Sequence, residues 1–156
     1  TAATPALAAL AAAGVAHQLR EYHHDPGTQG YGLEAAEKLG VPPERVYKTL
    51  VAAVDGHLCV AVVPVSHLVS LKALAKALGG KHAQMADPGL AMRATGYVVG
   101  GISPLGQKKA LPTVIDWTAT LWDSVLISAG RRGLDVELSP TDLVRLTSAV
   151  VADICA

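Results

Sequence analysis

The sequence contains no phenylalanine, and aromatic residues make up only 4% of its 156 positions. Proteins that bind single-stranded nucleic acid by stacking its bases need exposed aromatic side chains, so this composition argues against that class. Charged residues are also sparse, at 17%, whereas hydrophobic residues reach 51%, which excludes an intrinsically disordered chain. Small aliphatic side chains must therefore fill the core of a folded domain.

No excess of charge and no long apolar run is present. The 13 basic and 13 acidic residues cancel, so no overall field attracts DNA or an anionic membrane, and any nucleic-acid contact must come from a local patch. The longest strongly apolar stretch, residues 58–65, is far shorter than the ~20 residues of a spanning helix. The sequence predicts no DNA partner, no membrane partner and a cytoplasmic location.

Cysteine is scarce as well. Cys59 and Cys155 lie far apart, with no spacing typical of a disulfide framework or a zinc site. Cys59 is predicted to be a buried small hydrophobe in a strand, and Cys155 to lie in a frayed end. The run His23-His24-Asp25 matches no common zinc pattern and is predicted to be a solvated loop. We therefore expect neither a metal nor a cofactor.

Turn and cap residues divide the chain into short elements. Asp55-Gly56, between two β-branched runs at 45–54 and 58–63, predicts a hairpin at the centre of an antiparallel or mixed sheet. The irregular order of elements indicates one compact α+β domain over residues 1–156. Further strands are predicted at 15–22, 113–116, 124–128, 134–138 and 150–154, and helices at 5–13, 33–39, 71–78, from 88 to before 96, and from 140.

Lys48 stands inside an otherwise apolar strand. By two-residue periodicity Val46, Lys48 and Leu50 share one face, which places an ammonium group between apolar neighbours. One interpretation is an edge strand on which the lysine guards against aggregation. The other is a catalytic or anion-binding amine in a pocket. Periodicity alone leaves both open.

A glycine-rich loop follows at residues 100–109, GGISPLGQKK. Its glycines let backbone N–H groups approach a ligand, although the spacing fits neither a Walker A nor a Rossmann motif. Two basic pairs, Lys108-Lys109 and Arg131-Arg132, lie in glycine-rich turns. If those turns share one side of the molecule, the four residues form a local phosphate-binding patch.

Six segments together resemble a known family. The chain is similar to the YbaK-type free-standing editing proteins, bacterial Cys-tRNA(Pro) deacylases related to the insertion domain of bacterial prolyl-tRNA synthetases. The resemblance covers nearly the whole chain, and the long segment at 95–109 is its most specific part. The segments are YHHDP at 22–26, EAAEKLG at 34–40, VYKTL at 46–50, MADP at 85–88, TGYVVGGISPLGQKK at 95–109 and RGLDVEL at 132–138.

This resemblance implies a compact α+β domain with a mixed, mostly antiparallel β-sheet or barrel surrounded by helices. It implies an enzyme that removes cysteine mischarged onto tRNA(Pro), an error that arises because a difference of about one methylene gives only ~1–3 kcal/mol of discrimination. The thiol of the esterified cysteine attacks its own carbonyl and expels the ribose oxygen, so the protein supplies no nucleophile. The implied partners are the acceptor end of aminoacylated tRNA(Pro) and prolyl-tRNA synthetase.

The resemblance also implies roles for individual residues. Lys48 is the catalytic residue and anchors the 3′ end of the tRNA or the developing charge. The loop from Gly100 to Pro104 positions the terminal ribose and ester, and Asp135 holds the α-amino group of the substrate. The implied substrate-binding residues are Tyr22, Gly100, Gly101, Ser103, Pro104, Ser128 and Asp135.

Two other functions stay open on the sequence. A deacylase for another small residue, such as alanine, would need water as the nucleophile because the substrate has no thiol. A non-catalytic module that binds tRNA or the synthetase would keep the basic patch but could dispense with Lys48 and the glycine-rich loop. The chain retains both features, which favours an enzyme.

Overall fold

The computed structural model describes residues 3–156. Its helices begin where the sequence provides caps: the side chains of Thr4, Ser70, Asp87 and Ser139 each accept a hydrogen bond from an N–H group of the following turn. Within the described range, no helix is both long and apolar enough to cross a membrane. The α-helices are α1 (Pro5–Ala13), α2 (Tyr31–Leu39), α3 (Leu71–Ala77), α4 (Pro88–Thr95) and α5 (Pro140–Thr147), with 3₁₀ turns at Pro43–Arg45 and Trp117–Leu121.

The strands form two sheets. One has three strands in the order β1-β7-β6, and the other has five in the order β4-β2-β3-β5-β8. The two sheets meet where Val46, just before β2, makes a parallel bridge to Leu126 of β6. The strands are β1 (His17–Glu21), β2 (Tyr47–Val54), β3 (His57–Pro64), β4 (Ala83–Met85), β5 (Thr113–Asp116), β6 (Val125–Arg131), β7 (Leu134–Leu138) and β8 (Val150–Ala152).

The predicted hairpin is confirmed. Strands β2 and β3 pair along their whole length, from Tyr47 opposite Pro64 to Val54 opposite His57. Asp55 and Gly56 both have positive φ, at 48° and 82°, as a two-residue turn that matches the twist of its strands requires. Asp55 stays in this conformation because its carboxylate accepts hydrogen bonds from two backbone N–H groups, at Lys81 and His82.

The mixed α+β architecture is confirmed too. The pairings of β3 with β5 and of β5 with β8 are parallel, whereas every other strand pairing is antiparallel. The sequence did not predict β4, because three residues of composition Ala-Gln-Met carry no strand pattern. Its pairing with β2 at Ala52–Val54 comes from the tertiary fold.

The core is built from small aliphatic side chains, as the composition requires. The largest cluster lies between the two sheets and includes Val51, Val62, Ile127 and Val136. A second cluster covers the opposite face of the five-stranded sheet, where α3 contributes Leu74 and Ala75, and includes Cys59, which is buried as predicted. A third cluster packs α2 against the junction of the sheets.

Two sequence expectations need correction. Cys155 is not frayed: it is half-buried, forms an isolated antiparallel bridge with Val69, and packs against the second cluster. The segment at 23–25 is only partly a solvated loop, because His24 Nδ1 lies 2.6 Å from a carboxylate oxygen of the buried Glu34. No group of metal-binding side chains occurs between residues 3 and 156.

Candidate active site

A cavity of about 410 Å³ opens where β2, α2 and the three-stranded sheet meet. Its walls come from segments far apart in the sequence: β2, the first turn of α2, the start of α4, the glycine-rich loop and the ends of three strands. The fold therefore brings together five of the residues that the sequence singled out. These residues are Tyr22, Lys48, Gly100, Ser128 and Asp135.

Lys48 lies in the half of β2 that β4 does not reach. Its backbone is opposite Val63 of β3, whereas β4 pairs only with Ala52–Val54. The Lys48 side chain forms no hydrogen bond or ion pair with any residue in the described range. Burial lowers the pKa of its amine, while the nearby Cys155 acts in the opposite direction. Features of both interpretations are present at Lys48. Its half of β2 is not covered by β4, as at a sheet edge, and its side chain lines the cavity.

Asp135 is the buried acidic group of the cavity, and it is only 5% exposed. It is opposite Arg20 of β1 and Ser128 of β6 in the sheet register. Burial raises the pKa of its carboxyl group to about 7, with Arg20 acting in the opposite direction. Burial and the charge of Asp135 also raise the pKa of the Tyr22 phenol to about 12. A cationic group next to Asp135, such as an α-amine, would lower this pKa and favour the ionised carboxylate.

Gly100 brings the glycine-rich loop to the cavity. Its φ of 87° is left-handed, and a Cβ at this position would lie 2.8 Å from Tyr31 Cγ and 2.9 Å from Arg132 Nε. A side chain here would collide with both groups, so only glycine allows this contact. The Gly100 backbone thereby becomes part of the cavity wall beside the first turn of α2.

Of the other loop residues, Ile102 also lines the cavity, whereas Gly101, Ser103 and Pro104 do not. Gly101 packs against the Arg131 backbone, since a Cβ would lie 2.8 Å from Arg131 Cα. Ser103 is fully buried, and its Oγ accepts a hydrogen bond from the N–H of Leu105. Pro104 is buried as well. These three residues shape the loop that presents Gly100, and direct substrate contacts by them remain a prediction.

The four predicted phosphate contacts lie in two places. Lys108 and Lys109 are fixed through their backbone N–H groups to the carbonyls of Thr95 and Ala94, at the end of α4. Arg131 is the last residue of β6, and Arg132 begins the turn that leads into β7. All four side chains are exposed. The Arg132 guanidinium lies 4.7 Å from the centre of the Tyr31 ring, which lines the cavity.

The cavity has no protein nucleophile with an adjacent base. No histidine or cysteine is among the described residues that line it. The Ser128 Oγ accepts a hydrogen bond from the N–H of Gly130 and has no histidine to activate it. The cavity instead presents the amine of Lys48, the buried carboxyl group of Asp135, hydroxyl groups such as that of Ser128, and the backbone of Gly100.

Comparison with known families connects this arrangement to a chemistry. The family model described as "Aminoacyl-tRNA editing domain" matches residues 26–146, the part of the chain that contains nearly all of the cavity. The chain belongs to this family. It is therefore an aminoacyl-tRNA editing enzyme, which cleaves the ester between an amino acid and tRNA.

Curated relatives of this editing domain occur both as free-standing proteins and inside synthetases. A protein of Enterococcus faecalis provisionally named Cys-tRNA(Pro)/Cys-tRNA(Cys) deacylase EbsC is 40% identical over 121 residues, which span 76% of this chain and 73% of that protein. A proline–tRNA ligase of Moorella thermoacetica is 28% identical over 124 residues, 75% of this chain but only 22% of the ligase. The editing domain thus corresponds to about a fifth of the ligase.

Solved structures share the fold. The hypothetical protein APE2540 superposes with a TM-score of 0.87 at 28% identity, over 98% of this chain and all of that one. A structure described as a provisional trans-editing enzyme for prolyl-tRNA synthetase gives the same TM-score at 24% identity, over 100% of this chain and 99% of that one. At that identity the second likeness shows the fold alone.

Sequence reasoning did not single out two notable residues of the cavity, Thr49 and Tyr31. Thr49 lines it, and its Oγ1 is buried without a hydrogen-bond partner in the described residues. Such an orphaned hydroxyl is rare in a folded protein and marks a place where a ligand atom can bind. Tyr31 lines the cavity as well. Neither residue has a signal in the sequence, since threonine is common in strands and tyrosine at a helix start is unremarkable.

Proposed function

We propose that this editing domain removes cysteine from mischarged tRNA(Pro), with the thiol of the substrate as the nucleophile. The observation that carries the proposal is a cavity whose described lining contains an unpaired amine and an unpaired buried carboxyl group but no histidine or cysteine. The name of the Enterococcus faecalis relative and the match to part of proline–tRNA ligases support the choice of amino acid and tRNA.

In the proposed step, the sulfur of the esterified cysteine attacks the carbonyl carbon of its own ester. A carbon–sulfur bond forms, the bond from carbon to the ribose oxygen breaks, and the thiol proton passes to that oxygen. The products are a free tRNA 3′ end and a four-membered thiolactone, which water then opens to cysteine. The protein contributes orientation and charge, two effects that need no nucleophilic side chain.

The cavity residues have complementary roles in this proposal. Lys48 provides positive charge for the tRNA 3′ end or the developing oxyanion. Asp135, ionised and next to the Tyr22 phenol, binds the α-ammonium group, and the Gly100 backbone positions the terminal ribose and ester. The hydroxyl groups of Ser128 and Thr49 face the remaining polar atoms of the substrate.

Recognition of the tRNA body is the less specific part of the proposal. Lys108, Lys109 and Arg131 supply exposed charge for phosphates of the acceptor end. Arg132, the fourth residue of the predicted patch, directs its guanidinium to the Val99 carbonyl and the Tyr31 ring. Gly101, Ser103 and Pro104 hold the shape of the glycine-rich loop. A few charges on a neutral domain give weak binding that falls with salt. We propose that prolyl-tRNA synthetase supplies the tRNA selection, and that the enzyme acts in the cytoplasm, where charged tRNA is used.

The proposal is tested by deacylation of tRNA(Pro) charged in turn with cysteine, serine, alanine and proline. Serine is the sharpest comparison because it replaces only the sulfur atom by oxygen. We expect cysteine to be released much faster than serine or alanine, and proline to remain attached.

The outcomes separate the chemical alternatives. Equal rates for cysteine and serine would contradict attack by the thiol, and release of alanine alone would assign the cavity to water-dependent editing of that residue. No release of any amino acid, with the synthetase also present, would support a binding module instead.

A further inference from the structure

Arg132 makes contacts at the cavity mouth that the predicted phosphate role does not explain. Its Nε and Nη2 atoms both donate to the carbonyl oxygen of Val99, at 2.9 and 2.6 Å. The same guanidinium covers the Tyr31 ring at 4.7 Å. One side chain of the β6–β7 turn thus joins the residue before Gly100 to the first residue of α2.

The absence of a side chain at Gly100 makes this arrangement possible. A Cβ there would lie within 2.9 Å of both the Tyr31 ring and the Arg132 guanidinium. The Gly100 backbone therefore lies against both groups, so their positions limit where it can move. Because Gly100 and Tyr31 both line the cavity, this contact sets one side of the opening.

The position of Tyr31 is fixed by contacts with neighbouring residues. Its ring contacts the His24 ring, with centroids 5.7 Å apart. His24 Nδ1 is held by the buried Glu34, which also accepts a hydrogen bond from the Asp25 N–H. Tyr31 therefore offers Arg132 a fixed surface rather than a mobile side chain.

We propose that Arg132 is a positioning residue for the editing reaction, which acts through the Val99 carbonyl and the Tyr31 ring to hold Gly100 in the geometry that the substrate ester requires. The inference rests on the proposed function, in which Gly100 positions the ribose and ester. A planar guanidinium can donate from two atoms to one oxygen while stacking on a ring, whereas an ammonium group cannot reproduce that geometry. Charge alone is therefore insufficient at this position.

The test is Arg132→Lys, which keeps the charge and removes the forked donation. We expect kcat for Cys-tRNA(Pro) to fall roughly tenfold or more, because a small displacement of a reacting group is costly, while KM changes by less than about twofold. Arg145→Lys is the matched control, since Arg145 is also an exposed arginine and makes one side-chain contact, to Asp142, on α5 and away from the cavity. Thermal unfolding of both variants verifies that they fold.

A phosphate contact predicts a different pattern. In that case Arg132→Lys would keep kcat, and Arg132→Ala would raise KM with a weaker dependence on salt. Either result with an active wild-type enzyme would overturn the positioning role and leave the proposed function intact. Inactivity of the wild type on Cys-tRNA(Pro) would instead be a failure of the proposed function.

The Tyr31 side of the contact is tested independently. Tyr31→Leu removes the ring and should lower kcat as Arg132→Lys does, whereas Tyr31→Phe keeps a ring and should retain more activity than Tyr31→Leu. The double variant of Arg132→Lys and Tyr31→Leu should be little worse than either single one, because both changes break the same contact. Fully additive losses would show that the two residues act separately and would contradict the proposal.

Discussion

Asp135 and Glu137 lie two residues apart on β7 and share one face of the sheet, yet their carboxyl groups behave oppositely. Burial raises the pKa of Asp135 to about 7. The pKa of Glu137 is lowered, because hydrogen bonds from Ser124 and Arg20 and the charges of the arginines outweigh its burial. The same strand thus presents one carboxylate with partners and one without.

The difference comes from what the neighbouring segments supply. Glu137 accepts hydrogen bonds from Arg20, Arg45 and Ser124, which connect β1, the 3₁₀ turn before β2 and the start of β6. In the described range the Asp135 carboxylate has no hydrogen bond or ion pair. Partnered carboxylates therefore hold the sheet together, while we propose that the unpartnered one is reserved for the substrate amine.

Lys48 is the second charged group of the cavity that has no partner in the described range. The variant Lys48→Ala removes it and is the first way to sharpen the contrast. We expect deacylation of Cys-tRNA(Pro) to fall by a factor of about 10²–10³, because charge placed where a transition state needs it is worth that much. The assay should report kcat and KM separately: a fall in kcat indicates an oxyanion role, and a rise in KM indicates anchoring of the tRNA end.

Lys72→Ala is the matched control, since Lys72 is exposed on α3 and does not line the cavity. It should leave the rate unchanged. Wild-type kcat and KM in Lys48→Ala would remove Lys48 from the mechanism.

Glu137 is the carboxylate that has hydrogen-bond partners, so Glu137→Gln should mainly lower the stability of the fold. It leaves two arginines facing a neutral amide in a site where the carboxylate is 15% exposed, so we expect a loss of about 2–4 kcal/mol in the free energy of unfolding. Chemical denaturation measures this loss. An unchanged denaturation midpoint would show that the network adds nothing to the fold.

Glu34 gives a smaller effect that depends on pH. Burial opposes its ionisation, but hydrogen bonds from His24 and the Asp25 N–H outweigh burial and lower its pKa from 4.5 to about 2. A lowered pKa in the folded state stabilises the protein fully above pH 4.5, and that contribution is lost as pH falls towards 2.

Glu34→Gln should therefore lower stability at pH 7 by about 2 kcal/mol. It should also flatten the loss of stability on acidification between about pH 4.5 and 2. Identical acid unfolding curves for this variant and the wild type would contradict the assignment.

The sequence predicted the elements that local chemistry determines. Thr4, Ser70, Asp87 and Ser139 are helix caps by residue type alone, and Asp55-Gly56 specifies its hairpin regardless of the rest of the chain. Strand β4 escaped prediction because its pairing depends on β2. Cys155 was misplaced because its burial depends on a bridge to Val69, which is distant in sequence.

For the site, the sequence singled out candidate residues, but it did not predict their burial, their contacts or their pKa values. The resemblance singled out Lys48 and Asp135, yet the raised pKa of Asp135 exists only because three strands bury it with too few partners. Arg132 looked like half of a basic pair, and its contacts with Val99 and Tyr31 need the tertiary fold. The orphaned hydroxyl of Thr49 is equally invisible in a list of residues.

The most direct test of the account is Asp135→Asn, with deacylation of Cys-tRNA(Pro) and the free energy of unfolding measured together at pH 8. An unpartnered buried carboxylate binds substrate at the expense of the fold, so activity should fall at least about tenfold, while stability stays the same or rises. A variant that loses stability and keeps the wild-type rate would contradict the claim, because Asp135 would then support the fold as Glu137 does.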